Sequence, residues 1–365
     1  MPVLAKLVVS NLRNIQTATL RPVSGFNLFF GRNGSGKTSV LEAAHLLGLG
    51  RSFRGHVQRP LVSEGQQETV VFGETQDGLT LGIRRPLRGQ QTIHLAGRKA
   101  ESLAELSQAL PVQLLNSDTL RILEGSPQDR RRFLDWGVFH VEHGFFDHWR
   151  RARAALQQRN VLLRQEAADA ELEPWTLELL RAAALIDQGR AAYLACFRKY
   201  LEPVLAALLP AYAERLQLDY ARGWSQELAL EQVLASEMAR DRRQGFTASG
   251  PHRAELRLRC GPYVAADVLS RGQLKLLVCA LKIAQARLLQ AEASRSCVFL
   301  IDDLPAELDN ENRALVCQEL SGLGLQVFMT AIELELLQEP LGASLPAGTA
   351  GLGLFHVKHG IINPM

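Results

Sequence analysis

In its first 115 residues the chain carries short apolar runs parted by turn residues. Residues 6–9 and 18–20 read as two strands joined by the polar segment Asn11-Leu12-Arg13-Asn14. Phe26-Asn27-Leu28-Phe29-Phe30 has the aromatic-rich character of a buried strand, and residues 39–47 place Val40, Leu41, Ala43, Ala44, Leu46 and Leu47 in a helical pattern. Three further runs, at 69–73, 79–83 and 91–95, stand between turn residues and predict a β-meander. Pro111-Val112-Gln113-Leu114-Leu115 closes this section as one more strand. From about residue 117 to 243 the pattern is helical. Trp175, Leu179, Ala182, Ile186, Tyr193, Phe197 and Tyr200 recur at steps of three, four and seven, which is one face of a long helix. Trp149, Ala152, Leu156 and Leu163 mark an earlier helix, and Pro174 with the acidic turn before it is expected to part the two into a hairpin. That hairpin is too short and too irregular for a long coiled-coil arm. Strands return at 255–259, 298–301, 326–329 and 354–357 among helices. The pattern predicts an α/β lobe built from both chain ends, 1–115 and 246–365, with a mainly helical lobe, 116–245, inserted between them.

Composition adds little to this except through charge and cysteine. The chain has 365 residues, 47% hydrophobic and 22% charged, as globular domains do. Its net charge of +3 hides an asymmetry: residues 1–115 hold 13 Lys+Arg against 7 Asp+Glu, 116–245 hold 18 against 19, and 246–365 hold 10 against 12. The positive excess of the first section suits a polyanion, although such an excess also serves as plain solvated surface. Cys196, Cys260, Cys279, Cys297 and Cys317 have no C-x-x-C spacing and lie mostly in apolar contexts, so reduced core thiols in a cytoplasmic protein are expected. Polar Lys6, Ser10, Asn11 and Arg13 interrupt any signal-like run, and no uncharged apolar stretch reaches membrane-spanning length. A membrane role is left only to a peripheral subunit.

The chemistry is concentrated after the strand at 26–30, where Gly31-Arg32-Asn33-Gly34-Ser35-Gly36-Lys37-Thr38 matches G-x-x-x-x-G-K-T. Strand, glycine loop and helix start together aim backbone N–H groups and a positive helix end at phosphate oxygens. Lys37 is then placed to reach the β- and γ-phosphates of ATP, and the Thr38 hydroxyl to complete a Mg²⁺ shell. The buried run Val298-Phe299-Leu300-Ile301 ends in Asp302-Asp303. Two acids after a strand can be a plain exit into a loop, but beside a phosphate loop Asp302 is expected to hold Mg²⁺ through its water and Asp303 to orient the attacking water or act as base. Leu269-Ser270-Arg271-Gly272-Gln273 opens another helical run. Ser270 suits an N-cap, and with Gly272 and Gln273 it also suits γ-phosphate binding at a helix amino end. Neither a metal-ligand spacing nor a nucleophilic triad is present.

A Ser-x-Gly-Gln segment about thirty residues before an acidic strand resembles the ABC-type ATPases. There the signature faces the nucleotide of a second subunit, so ATP drives homodimerisation. The resemblance makes Pro305-Ala306-Glu307-Leu308-Asp309 a loop at that dimer interface, with Asp309 near the nucleotide. Gln113, otherwise a surface glutamine, takes the place of the glutamine that senses Mg²⁺ and water. Closer still is the bacterial RecF family of SMC-like ATPases, which the chain resembles over nearly its full length. The segments that carry this are Ser52-Phe53-Arg54, Arg130-Arg131-Arg132-Phe133-Leu134-Asp135, Gly250-Pro251-His252-Arg253, residues 269–273, and Ile301-Asp302-Asp303-Leu304 followed by Glu307-Leu308-Asp309.

This resemblance implies an ABC/SMC-like ATPase head without a long coiled coil. It also implies binding to double-stranded DNA and single-strand/double-strand junctions, an ATP-dependent homodimer, slow hydrolysis, and work with the mediators RecR and RecO to load RecA. Three departures from the general ABC pattern suit a slow switch. Asp303 stands where transporters carry Glu, Arg271 replaces a signature glycine, and Thr330-Ala331-Ile332 occupies the place of a switch His. The alternative readings are an ATPase subunit of a membrane transporter and a clamp that binds ATP without turnover. Arg130 to Arg132 are either a solvated helix start or a DNA or interlobe contact, and His252 reads as a turn residue. With no aromatic β-platform and no major-groove reading helix, sequence-independent contact with duplex backbone is expected. Arg51, Arg54, Arg84, Arg85 and Arg88 are candidates for it, and Arg150, Arg151 and Arg153 the fallback.

Overall fold

The computed structural model describes residues 3–54, 61–336 and 351–365. Strands β1 (Leu4–Leu12) and β2 (Ile15–Leu20) form the expected hairpin, with Leu4, Leu7, Val9 and Leu12 turned into the core. Next come β3 (Phe26–Phe30) and helix α1 (Lys37–Leu49), joined by the glycine loop. The meander is β4 (Glu68–Thr75), β5 (Thr80–Pro86), β6 (Thr92–Leu95) and β7 (Arg98–Lys99). It is followed by α2 (Leu103–Ala109), started by a Ser102/Glu105 capping box, and β8 (Val112–Leu115). Helices α3 (Arg121–Glu124), α4 (Pro127–Val141), α5 (Phe145–Arg164) and α6 (Asp169–Leu208) come next. Then follow β9 (Leu216–Ala221), α7 (Leu230–Ser236), α8 (Met238–Gln244), β10 (Glu255–Cys260), β11 (Tyr263–Val264) and α9 (Ala265–Val268). The chain ends with α10 (Arg271–Ala293), β12 (Val298–Ile301), α11 (Leu304–Glu307), α12 (Asn310–Gly322), β13 (Val327–Ala331), β14 (Leu352–Lys358) and β15 (Ile361–Pro364).

Two compact units result, Met1–Thr119 with Lys275–Met365, and Leu120–Leu274. The first holds two six-stranded sheets, one ordered β2-β1-β4-β5-β6-β7 and the other β15-β14-β3-β13-β12-β8. In the second of these sheets the pairs β14–β3, β3–β13, β13–β12 and β12–β8 are all parallel, and β15 adds an antiparallel edge. Strands buried on both faces explain the mostly apolar runs at 26–30, 298–301 and 327–331. Phe29 stacks between Phe328 and Phe355 at 5.8 and 4.8 Å, which fixes three neighbouring strands in the core. Because the strands are parallel, the carboxyl ends of β3, β12 and β13 share one edge, where open α/β sheets place ligands.

The unit Leu120–Leu274 is mainly helical, and α5 and α6 form its hairpin. Four sequence expectations need correction here. The break between these helices is at 165–168, and Pro174 lies inside α6, near its start. Trp175, assigned to the buried face, is 37% exposed at the same end of that helix. The section expected to be mainly helical, with no strand named in it, contains β9, and this unit runs to Leu274 rather than 245. Long-range pairing decides both points, because β9 and β10 pair antiparallel from Glu255↔Ala221 to Cys260↔Leu216. None of the five cysteines is in a disulfide, and four of them are buried. Among the described residues no helix is long and apolar enough to cross a membrane.

Candidate nucleotide-binding site

The glycine loop leaves β3 at Gly31, whose φ is +145° and whose added Cβ would lie 2.2 Å from the Val357 carbonyl oxygen. No side chain fits there, so the loop stays flat against β14. Its course is fixed from outside as well. Asn14 Nδ2 donates to the Gly34 carbonyl at 3.2 Å, Gly31 N–H to the Ile332 carbonyl at 3.2 Å, and Gly360 N–H to the Ser35 carbonyl at 2.7 Å. Ser39 Oγ donates to Asn14 Oδ1 at 3.2 Å, which also ties the first turn of α1 to the β1–β2 turn. The Ser35 hydroxyl, by contrast, is buried without a hydrogen-bond partner. A buried polar atom of that kind is costly unless something else completes it.

Lys37 folds back over the loop and donates to the carbonyls of Gly31 at 2.5 Å and Arg32 at 3.1 Å. Burial lowers the pKa of its ammonium, while the nearby charges of Asp303 and Asp302 oppose that shift. Asp302 faces it from the end of β12. Its Oδ1 accepts two hydroxyl protons, from Thr38 at 2.9 Å and from Thr330 at 2.8 Å. Thr330 in turn accepts the backbone N–H of Asp303 at 2.8 Å. Asp303 turns away from the strand in a left-handed conformation, φ 56°. Burial raises its carboxyl pKa, and Asp302 beside it pushes the same way, against the pull of Lys37. Around these groups lies a cleft of about 740 Å³, with Arg13, Asn14, Arg54 and Glu64 also on its walls.

The donor set fits Mg²⁺ with a nucleotide. Thr38 and Asp302 offer hard oxygens side by side, and no group of three or more His, Cys, Asp or Glu among the described residues makes a complete cage. Such a site uses substrate phosphates and water for the remaining positions, as Mg²⁺ sites commonly do. The orphan Ser35 hydroxyl, the loop N–H groups and Lys37 supply the phosphate side.

Thus the cleft brings together Asn33, Gly34, Ser35, Gly36, Lys37, Thr38, Asp302 and Asp303, with Gly31 and Arg32 in the same loop. Gln113 is elsewhere and is corrected as a Mg²⁺ sensor. It is buried, giving Nε2 to Gln285 at 3.0 Å and receiving Lys282 Nζ at 2.9 Å. The reason is register. Leu115 pairs with Ile301, and Asp302 N–H donates to the Leu115 carbonyl, so Asn116 is the residue that β8 brings level with the acidic pair. Asp309 caps α12, accepting Asn312 N–H at 2.9 Å and Nδ2 at 2.8 Å. Ser270 and Gln273 form a reciprocal capping box at the start of α10, with contacts of 2.9 and 3.4 Å, and Gln273 also donates to Tyr212 at 3.3 Å. Ser270 and Gly272 are solvent-exposed.

Thr330 and Asn14 are cleft residues that the sequence reading does not single out, and Arg54, a candidate for DNA contact, also lies on the cleft wall. In the sequence Thr330 stands out only as the residue in place of a switch histidine. A hydroxyl residue ending the strand next to an acidic strand end was the available signal. The three-arginine segment is largely structural: Arg130 clasps Glu255 with contacts of 2.7 and 3.0 Å, and Arg131 donates to the Ala254 carbonyl at 2.8 Å. His252 Nε2 lies 3.0 Å from the Thr247 carbonyl, and burial takes its pKa down to about 4, as a neutral turn residue requires. Arg84 pairs with Glu68 at 2.6 Å on the meander surface.

Known proteins bear on this geometry directly. The RecF/RecN/SMC N-terminal domain matches residues 3–344. The DNA replication and repair protein RecF of Stutzerimonas stutzeri strain A1501 is 45% identical over 99% of this chain and 97% of its own. That of Pseudomonas fluorescens strain Pf-5 is 46% identical over 98% and 97%. A solved structure of the recombination mediator RecF with ATP, from the RecFOR pathway, covers 100% of this chain and 97% of its own at TM-score 0.85 and 25% identity. The Smc head of Pyrococcus furiosus, at TM-score 0.59 and 15% identity, shares the fold. With the phosphate loop, the acidic strand end and full-length relatives in agreement, the chain belongs to the RecF family of ATP-binding DNA replication and repair proteins.

Proposed function

We propose that this chain is an ATP-driven switch of recombinational repair, which dimerises on duplex DNA or gapped junctions when ATP binds and hydrolyses it slowly. It then acts with mediator proteins of the RecR and RecO type to place RecA on single-stranded gaps. The observation that supports this best is the cluster of Lys37, Thr38, Asp302 and Thr330 in the cleft beside the phosphate loop. ATP entering the cleft gives Lys37 phosphate oxygens in exchange for the Gly31 and Arg32 carbonyls. Thr38 and Asp302 hold Mg²⁺, which neutralises phosphate charge when bound. Asp303 orients the water that attacks the γ-phosphorus, and ADP leaves. The Asp303 side chain is shorter than the Glu that transporters carry there and holds the attacking water less closely, which suits slow turnover. Ser270, Gly272 and Gln273 complete the site of a second copy, with Asp309 at the same interface.

The relatives are DNA replication and repair proteins, and for that reason the transporter reading is set aside. The decisive experiment titrates duplex, gapped and single-stranded DNA with and without ATP at several salt concentrations. Counterion release predicts duplex affinity that falls steeply with salt and is higher with ATP, because a dimer doubles the phosphate contacts. Absence of duplex binding in both nucleotide states at low salt would remove the DNA assignment.

A further inference from the structure

The unit Leu120–Leu274 holds a cavity of about 240 Å³ that has no part in ATP chemistry. Its floor is apolar, with Trp149 and Leu156 from α5 and the fully buried Leu179 and Ile186 from α6. Around the floor stand four guanidiniums, those of Arg131, Arg132, Arg153 and Arg190. Among the described residues only one carboxylate, Asp135, shares the wall, and Arg190 already holds it with contacts of 2.8 and 3.0 Å. Arg153 lies over the Trp149 ring at 5.3 Å, and Arg132, 61% exposed, is 3.6 Å from its nearest carboxylate, Asp129. Arg131 is held below its ordinary pKa by burial and next by the Arg190 charge, so the wall is short of negative charge.

The two features have to be met by one ligand. A phosphodiester backbone would satisfy the arginines but leave the apolar floor in water. Whole cofactors occupy sites of about 300–1,000 Å³, so this volume suits a single side chain anchored among charges. We propose that the cavity docks a short acidic peptide segment of a partner protein. One leucine or phenylalanine side chain fills the floor between α5 and α6, and flanking carboxylates bind Arg131, Arg132 and Arg153. Planar guanidiniums favour carboxylates through paired N–H donors.

Fluorescence anisotropy of the full-length protein with labelled hexapeptides, each carrying one leucine or phenylalanine among Asp and Glu, tests this. At least one such peptide should bind. Arg153→Glu, at an exposed position that leaves the fold alone, should weaken it about tenfold or more. Leu156→Asp, which puts a charge on the floor, should do the same, with the melting temperature reporting whether that variant folds. A peptide with serine in place of its apolar residue should also lose about tenfold. Binding that ignores the serine replacement would mean that the arginines merely collect polyanions, and the proposal fails. It fails equally if no peptide of the set binds, or if Arg153→Glu weakens short duplex DNA but no peptide, in which case the wall belongs to a DNA surface.

Discussion

Asp302 keeps its place in the cleft through two hydroxyls on two different elements, Thr38 on α1 and Thr330 on β13. Replacing Thr330 by valine keeps the shape and the strand preference. It leaves the Asp303 N–H unpaired and takes one donor from Asp302. The expected cost is about 1–3 kcal/mol in urea unfolding, together with a higher Mg²⁺ requirement for ATP binding. Unchanged Mg²⁺ dependence would show that Thr330 only shapes the strand. Asp303 gives the opposite sign. Its carboxyl pKa is raised on folding, so its contribution to stability is present in acid and lost as pH rises through the folded pKa. Asp303→Asn should therefore melt higher than wild type at neutral pH while hydrolysing no ATP, and asparagine tolerates the left-handed backbone as aspartate does. The melting difference should shrink towards low pH; a constant difference would point to a backbone effect. Of these residues, the loop and both acids were legible in the sequence as a consecutive motif. Thr330 and Asn14 were not, because they reach the cleft only when strands far apart in the chain lie side by side.

Among the elements, α5 and α8 meet through a fully buried ion pair. Arg159 and Asp241 are both inaccessible to solvent, 2.9 Å apart, with Thr247 and Thr176 taking other protons of the guanidinium. Removing one partner strands the other charge in a region of low polarity. Arg159→Leu should cost about 3–5 kcal/mol, and Arg159→Leu with Asp241→Leu much less. Equal loss in the single and double variants would show that packing, rather than the stranded charge, dominates. Helices α4 and α6 depend on contact of another kind. A Cβ added at Gly137 would sit 2.1 Å from Tyr193 Oη, so Gly137→Ala must displace the Tyr193 ring or part the two helices. The helix periods were readable in the sequence, because amphipathic spacing is local. The β9–β10 pairing was not, since a strand of six residues in a helical neighbourhood has no local signal strong enough to oppose it.

At the scale of the whole molecule, two buried histidines predict acid sensitivity. His45, with Nδ1 2.7 Å from the Arg51 carbonyl, and His252 are both taken down from 6.5 to about 4, chiefly by burial. The unfolded chain binds those protons at the higher value, so the stability they confer is complete above pH 6.5 and is lost as pH falls towards 4. Each contributes up to about 1.4 kcal/mol per pH unit within that window. Urea unfolding from pH 7 to pH 4 should show this slope, and His252→Gln should flatten it. A second whole-molecule outcome concerns the proposed dimer. Hydrolysis per chain should fall on dilution, and Ser270→Arg should bind ATP yet neither dimerise nor hydrolyse it. Turnover per chain that is constant down to monomer concentrations would contradict a shared site.

By itself the sequence determined the phosphate loop, the acidic strand end, the periods of the long helices and the composite α/β plan. Each of these is written in neighbouring residues or in a short repeat of apolar positions. Tertiary structure decided the rest. Parallel register moved Gln113 into the core and brought Asn116 level with Asp302, and the pairing of β10 with β9 carried the inserted unit to Leu274. Sheet order set the Thr330 hydroxyl against Asp302 across 28 residues of chain. Such outcomes depend on which distant segments gain most by burying one another, a comparison that no local pattern encodes.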